Sequence, residues 1–571
     1  MTRRTSLTVF GFFALFSLFA LSACGSRGGS SSGTGASSSG SSSSGTRPED
    51  VNVLFTYGSE KQAWIEETTA AFNRERHRTA SGKIIHVEAI PMGSGDCVDE
   101  ILSGQRQPHI ISPASAAFIK LGNAESRVKT GKDLVGPTKN LVLSPVVIAM
   151  WQPMAQALGW GTRPVGWRDV VDLARRPEGW AALGHPEWGR FRFGHTHPRA
   201  SNSGLISLLA EAYAGAGKIS ALTMDDVRKP TTKAFIEGVE QGVVHYGSST
   251  GFFGRKMFAN GPGYLSAAVL YESMVVESRD PSKYHLAFPI VAIYPKEGTF
   301  WSDHPVGIVQ RDWVTPELKE GADAYVDYLL ARPQQERAMA FGFRPGDPAI
   351  PLGAPIDAEH GVNPKEPQTT LEVPEPDVMN AVLDTWEGVK KNARVVLAID
   401  VSGSMNDEGK IGAAREGASA FAASLGDKDE MALMTFNTKI AWAAPLAPLG
   451  PARNSLNQTI GGLFAQGGTS LYDAVAEAYD SIAKTPPGSK ISALVVLSDG
   501  ADRDSRMSLD TLLQRIRYDS EGPGIRVFTI GYGSDAKADV LEKIADITQG
   551  RYYAGKPENI RAVFKEISTF F

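Results

Sequence analysis

Cysteine is nearly missing from this sequence: Cys24 and Cys97 are the only two in 571 residues. Two cysteines permit at most one bridge, so a disulfide-stapled scaffold is excluded and stability has to come from packing. Cys97 reads as a small buried hydrophobe rather than a reactive thiol. An excess of one charge is missing too. The 58 Lys and Arg against 63 Asp and Glu leave a net charge of −5 and a pI near 6.1. Nucleic acid is therefore not an expected partner, because its binding needs a basic excess. Large apolar side chains are absent from residues 25–46, GSRGGSSSGTGASSSGSSSSGT. Such a segment cannot offset the entropy of ordering and acts as a flexible tether with a reach of roughly 25 Å. What remains is globular in composition, 42% apolar and 21% charged. Its length exceeds a single core and predicts about three or four domain-sized units.

The N-terminus has the layout of an export signal. A basic MTRR precedes the uncharged apolar run Leu7 to Ala23, which ends in small residues before Cys24. The tetrapeptide Leu-Ser-Ala-Cys, residues 21–24, resembles the lipobox of bacterial lipoproteins. That resemblance implies cleavage before Cys24 and a diacylglyceryl group on its thiol, a lipid anchor that places the rest on the extracytoplasmic face of the cell membrane. The alternative is an uncleaved helix, since 17 residues can just span a thinned bilayer. The expected division is a signal peptide over 1–23 and a lipidated linker over 24–49.

From Val51 strands alternate with helices. The strand VNVLFTYG runs into a Gly58-Ser59 turn and a helix with apolar Trp64, Ile65, Ala71 and Phe72. IIHVEAIPM leads to Gly93-Ser94-Gly95, and PHIIS ends at Ser112 before a helix start at Ser115. Further on come NLVLSPVVIAMW, the segment THPRASNSG (196–204), and a strand ending near Tyr271 and Glu272. This alternation predicts an open, largely parallel sheet with ligands at the strand ends, where helix N-termini offer free N–H groups. Hydroxyl-rich turns in two separated groups predict two facing lobes. These features, with YPKEGTFWSDHP at 294–305, resemble the bacterial extracellular solute-binding proteins of ATP-driven importers, in the subgroup of oxyanion and ferric-iron binders. The resemblance spans roughly residues 50–371 and implies two α/β lobes joined by crossing strands and closing on a small solute or oxyanion. By position it assigns Ser59, Ser94, Ser112, Thr196, Ser203 and Tyr271 to the cleft. His195 and His197, spaced as metal ligands on a strand, with His304 in another loop, offer a rival zinc site that lacks a recognisable third ligand. Hydrogen-bonding roles suit these histidines better.

Residues 372–392 predict a proline-marked junction and a short amphipathic helix. After it the pattern resets: RVVLAID is an almost continuous apolar run, as expected of a strand covered on both faces. Alternating helices and strands to the C-terminus predict a doubly wound sheet over 393–571. At its strand ends stand Asp400, Ser402 and Ser404 in DVSGS, Thr469 after Gly467-Gly468, and Asp499 in LSDG. The set resembles the metal-ion-dependent adhesion site of von Willebrand factor A domains. That resemblance implies Mg²⁺ or Mn²⁺ on the Ser402, Ser404 and Thr469 hydroxyls, with Asp400 and Asp499 direct or through water. Mg²⁺ favours octahedral oxygen ligands at about 2.1 Å, and neutral hydroxyls leave it electrophilic enough to accept a carboxylate from an acidic protein ligand.

The expected fold is thus α/β: a two-lobed, periplasmic-binding-protein-like solute-binding domain followed by a doubly wound, Rossmann-like von Willebrand factor A domain. The expected function is non-enzymatic binding at the membrane surface. One alternative is the ligand-delivery subunit of an ABC-type importer that docks on a permease. Another is a metal-dependent hydrolase, which the hydroxyl-rich donor set disfavours because hydrolytic metals usually sit on histidine or several carboxylates.

Overall fold

The computed structural model describes residues 50–484, 490–518, 524–534 and 536–571. The export signal, Cys24 and the Gly/Ser-rich linker lie outside the described residues. Among the described residues no helix is long and apolar enough to cross a membrane.

The first lobe is built on a five-stranded sheet in the order Ile85–Met92, Val51–Gly58, Ile110–Ser112, Pro305–Ile308, Lys139–Asn140. Its first three strands are parallel, with Val51 opposite Ile85 and Phe55 opposite Ile110. Pro305–Ile308 returns antiparallel to Ile110–Ser112. The second lobe centres on Val142–Trp151, which pairs antiparallel with Ala267–Tyr271, Ile290–Ile293, Trp301–Ser302 and Arg344–Pro345. Only Phe193–Gly194 is parallel there, to Val243–His245 and Ala267–Tyr271. The expected largely parallel sheet is thus corrected to two mixed sheets. The physical reason is that the chain crosses between lobes three times, after Asn140, after Ser302 and again before Arg344, and the first two crossings each lay a strand against the prevailing direction.

The third sheet has six strands in the order Ile440–Pro448, Glu430–Phe436, Asn392–Asp400, Lys490–Ser498, Arg526–Tyr532, Arg551–Gly555. All pairs are parallel except the edge hairpin Glu430–Phe436 with Ile440–Pro448. Strand period two explains why RVVLAI is apolar throughout: Val395, Leu397 and Ile399 share a core with Phe421 and Phe564, while Val396 and Ala398 face Leu471, Ala474 and Leu494. The first of those cores is continuous with that of the second lobe through Trp386, His245-stacked Phe570 and their neighbours. The helix Pro376–Val389 makes the junction, starting at a proline whose missing N–H costs nothing in the first turn and burying Met379, Val382, Leu383 and Trp386 at helical spacing. The described residues accordingly fall within one compact unit.

Candidate functional site

The strand Asn392–Asp400 carries Asp400 to the carboxyl edge of the third sheet, and the neighbouring strand Lys490–Ser498 delivers Asp499 beside it. The turn after Asp400 folds back so that the Ser402 amide donates to Asp400 Oδ1 at 2.8 Å. Ser402 and Ser404 hydroxyls lie 3.2 Å apart, and Ser404 donates to Asp499 Oδ1 at 2.8 Å. The Thr469 loop is fastened to the same turn, since the Gly403 amide donates to the Gly467 carbonyl at 3.0 Å. Gly468 has no alternative: a Cβ there would meet Asp504 Oδ2 at 1.8 Å, and that carboxylate is needed to accept the Thr469 amide at 2.8 Å. The structure therefore brings Asp400, Ser402, Ser404, Thr469 and Asp499 to one strand-end rim.

Two more residues complete the arrangement and escaped the sequence reading. Ser498 donates to Asp400 Oδ2 at 2.7 Å, although it sits in the same LSDG as Asp499. Lys410, ten residues after Asp400, extends a buried ammonium to Asp499 Oδ2 at 2.9 Å. Its signal was position alone, the first residue of the helix Lys410–Ser424. Burial pushes the Asp400 carboxyl up to about 6, against the hydrogen bonds from Ser402 and Ser498, and the nearby Asp499 adds to the rise. A buried carboxylate at such cost is chemically matched to a cation. Hydroxyls at Ser402, Ser404 and Thr469 with carboxylates behind them are a hard-oxygen donor set suited to Mg²⁺ or Mn²⁺.

The six residues assigned to the cleft all lie where the lobes meet, and all are buried, with exposures of 0–3%. Five of them have polar partners within the protein. Ser59 donates to Ser249 Oγ at 2.8 Å and accepts from the Gly251 amide. Thr196 and Ser203 hydroxyls pair at 2.8 Å, with Thr250 adding a bond to Ser203. Tyr271 accepts from Asn202, which also reaches Ser115 and Ser302. Ser94 accepts from the Ala114 amide. Ser112 Oγ has no partner, and Thr56 Oγ1, Tyr57 OH and Ser273 Oγ are likewise unpaired. Ser115 caps its helix as its sequence position indicated, accepting from the Ala117 amide.

The histidines serve different partners, although the rings of His195 and His197 both pack on Tyr246. His195 bonds Glu240 through Nε2 and the Thr196 carbonyl through Nδ1, His197 packs edge-on against Trp386, and His304 lies beside Lys61. Among the described residues no group of three or more His, Cys, Asp or Glu could hold a metal ion. Cys97 is buried.

Two mixed sheets linked by crossing strands, then a doubly wound sheet with a hydroxyl–carboxylate rim, define a periplasmic-binding-protein-like fold followed by a Rossmann-like domain. The chain belongs to the bacterial extracellular solute-binding proteins, whose family pattern matches residues 53–344, more than half of it, and it carries a von Willebrand factor type A domain at 395–566. An uncharacterized protein of Mycobacterium tuberculosis is 22% identical over 472 residues, which are 78% of this chain and 65% of that protein. The inter-alpha-trypsin inhibitor heavy chain H4 of Sus scrofa is 25% identical over 167 residues, 28% of this chain and 18% of the inhibitor chain. The chain thus spans less than two thirds of either relative. Among solved structures, the periplasmic binding protein AfuA of Actinobacillus pleuropneumoniae, with exogenous fructose-6-phosphate bound, is 14% identical. It covers 59% of this chain and 98% of its own at a TM-score of 0.41. A von Willebrand factor type A protein of Catenulispora acidiphila is 24% identical, covering 32% of this chain and 42% of its own at a TM-score of 0.28.

Proposed function

We propose that this chain is a membrane-anchored extracytoplasmic binding protein that recognises an acidic protein ligand through a divalent ion on its von Willebrand factor type A domain. Ser402, Ser404 and Thr469 would hold Mg²⁺ or Mn²⁺, with Asp400 and Asp499 behind them directly or through water. The bound ion would supply an open, electrophilic position for a partner carboxylate. Ser498 and the Ser402 amide keep Asp400 oriented, and Lys410 does the same for Asp499. The observation that carries the reading is the convergence of three hydroxyls and two carboxylates on one rim. Phe464, 63% exposed on the loop that delivers Thr469, adds an apolar contact of the kind partner surfaces use. Diacylglyceryl modification of Cys24 would hold the protein at the membrane, and the two lobes would take a small solute. The matched solute-binding family and the von Willebrand factor type A domain are of a binding type, and the donor set favours binding over hydrolysis.

Titration of the full chain with MgCl₂ and MnCl₂ by calorimetry tests this. Saturable binding is expected, weakened at least tenfold by Asp400→Ala with an unchanged circular dichroism spectrum. Absence of uptake by the wild type at millimolar ion would end the proposal.

A second reading, the ligand-delivery subunit of an ABC-type importer, is favoured by the family match of residues 53–344. It requires a solute that opens and refills the cleft, detectable as a rise in melting temperature.

A further inference from the structure

The cleft contains a charged pair that its serines do not explain. Glu60 follows Ser59 directly, and its side chain is 3% exposed, while those of Lys61 and His304 are fully buried. Lys61 Nζ donates to Glu60 Oε1 at 2.7 Å and approaches His304 Nδ1 at 3.1 Å. Burial and the Lys61 charge hold His304 down at about 4, so the imidazole is neutral and Lys61 is the cation that balances Glu60. Burial opposes the Glu60 charge, yet the Lys61 charge and the close His304 Nδ1, 3.2 Å from Oε1, outweigh it and the carboxyl lies at about 2. Glu60 is thus an ionised carboxylate almost wholly withdrawn from solvent.

Its position matters as much as its charge. Ser59 is bonded across the lobe boundary to Ser249 and the Gly251 amide. His304 lies on the crossing segment between Trp301–Ser302 and Pro305–Ile308, with its ring 5.5 Å from that of Tyr271. Glu60 therefore stands among the residues assigned to the solute. Local sequence permits this only because residue 58 is glycine: a Cβ there would meet Glu60 Oε1 at 2.3 Å. A free oxyanion entering here would add a second negative charge against the single ammonium of Lys61, in surroundings where an unbalanced charge is costly.

We propose that Glu60 is an internal anion: the lobes close on the Glu60–Lys61 pair in place of an anionic solute, so Glu60 sets the specificity of the cleft against free oxyanions. The inference rests on reading the cleft as a solute site and restricts its solute to molecules without net negative charge. Removing the carboxylate leaves a vacancy beside Lys61 of the size and charge of a small monocarboxylate.

The test is chemical rescue of the full chain. Glu60→Ala is expected to melt below the wild type and to regain about 2 °C or more in sodium formate, saturably, relative to sodium chloride of equal ionic strength. The wild type should show no such difference between formate and chloride. In calorimetry the wild type should give no saturable heat with sulfate, phosphate or molybdate. A variant indifferent to formate overturns the proposal, and so does one-to-one binding of any of these oxyanions by the wild type that Ser59→Ala weakens. Where Glu60→Ala does not fold, the wild-type calorimetry decides alone. Formate rescue upholds the proposal even if a panel of sugars, amino acids and polyols leaves the wild type unmoved, a result that would count against the solute reading only.

Discussion

Glu211 sits fully buried in the helix Asn202–Ala216, with Oε1 accepting from Ser207 at 2.7 Å and Oε2 without a partner. Burial pushes its carboxyl up to about 8; His195 and Ser207 act against the rise and Glu240 adds to it. It is protonated at neutral pH in the folded chain, whereas in the unfolded chain a glutamate ionises near its ordinary 4.5. The folded state holds the proton more tightly, so this group's contribution is fully present below pH 4.5 and is lost as pH rises through about 8. Glu211→Gln keeps the shape and removes the proton. Unfolding free energies from denaturant titrations between pH 5 and 8 should fall less steeply for the variant, with a difference of at most about 1.4 kcal/mol per pH unit inside that window. His195, raised by Glu240 although burial opposes it, also loses its contribution as pH rises, but it is present in both proteins. Parallel profiles would show that Glu211 is already ionised. At this scale the sequence was legible where chemistry follows chain direction. Asp400, Ser402 and Ser404 are neighbours in the chain, and their turn was foreseeable. Lys410, Glu60 and Glu211 were not, because an isolated charge in a sequence reads as solvent-facing until long-range packing covers it.

Elements were legible in kind and less so in pairing. The junction segment shows apolar residues at Met379, Val382, Leu383 and Trp386, and they are the residues that helix Pro376–Val389 buries. What they meet was hidden. Trp386 Nε1 donates to Glu240 Oε1 at 2.9 Å, and Glu240 also binds His195 and Tyr246. The helix is thereby locked to the second lobe through one carboxylate. Trp386→Ala removes a fully buried indole and should cost about 3–5 kcal/mol in urea denaturation. Trp386→Phe keeps most of the apolar area and loses the donor, which should cost about 1–3 kcal/mol. Equal losses for both would mean that packing alone holds the junction. Val142–Trp151 illustrates the other side: its apolar run announces a buried strand, but hydropathy is the same for parallel and antiparallel neighbours. Its antiparallel partners at Ala267–Tyr271 and Ile290–Ile293 are fixed by crossings that no local pattern encodes.

The whole molecule is tied together at its C-terminus. Lys565 on the helix Ile560–Ser568 donates to Asp96 of the first lobe at 3.1 Å. Phe570 stacks on His245 of the second lobe with ring centres 4.4 Å apart, and its carbonyl accepts the Tyr246 amide at 3.2 Å. Lys256 reaches the Gly550 carbonyl at 2.7 Å. The von Willebrand factor type A domain thus contacts both lobes of the closed cleft, and its core is continuous with the second lobe. Elements that share a core unfold together, so the wild type should show a single calorimetric transition over both matched regions. Phe570→Ala combined with Lys565→Gln removes the stack and the bridge to the first lobe, and should resolve that transition into two. Stabilisation by a ligand reaches only what unfolds with its site. Mg²⁺ at the Asp400 rim should then raise the whole wild-type transition but only one of the two in the double variant. By reciprocity, any solute that parts the lobes would change ion affinity in the wild type and lose that effect when the tie is cut. Two transitions in the wild type, or a Mg²⁺ response confined to one part of it, would show instead that the domains adjoin without sharing stability.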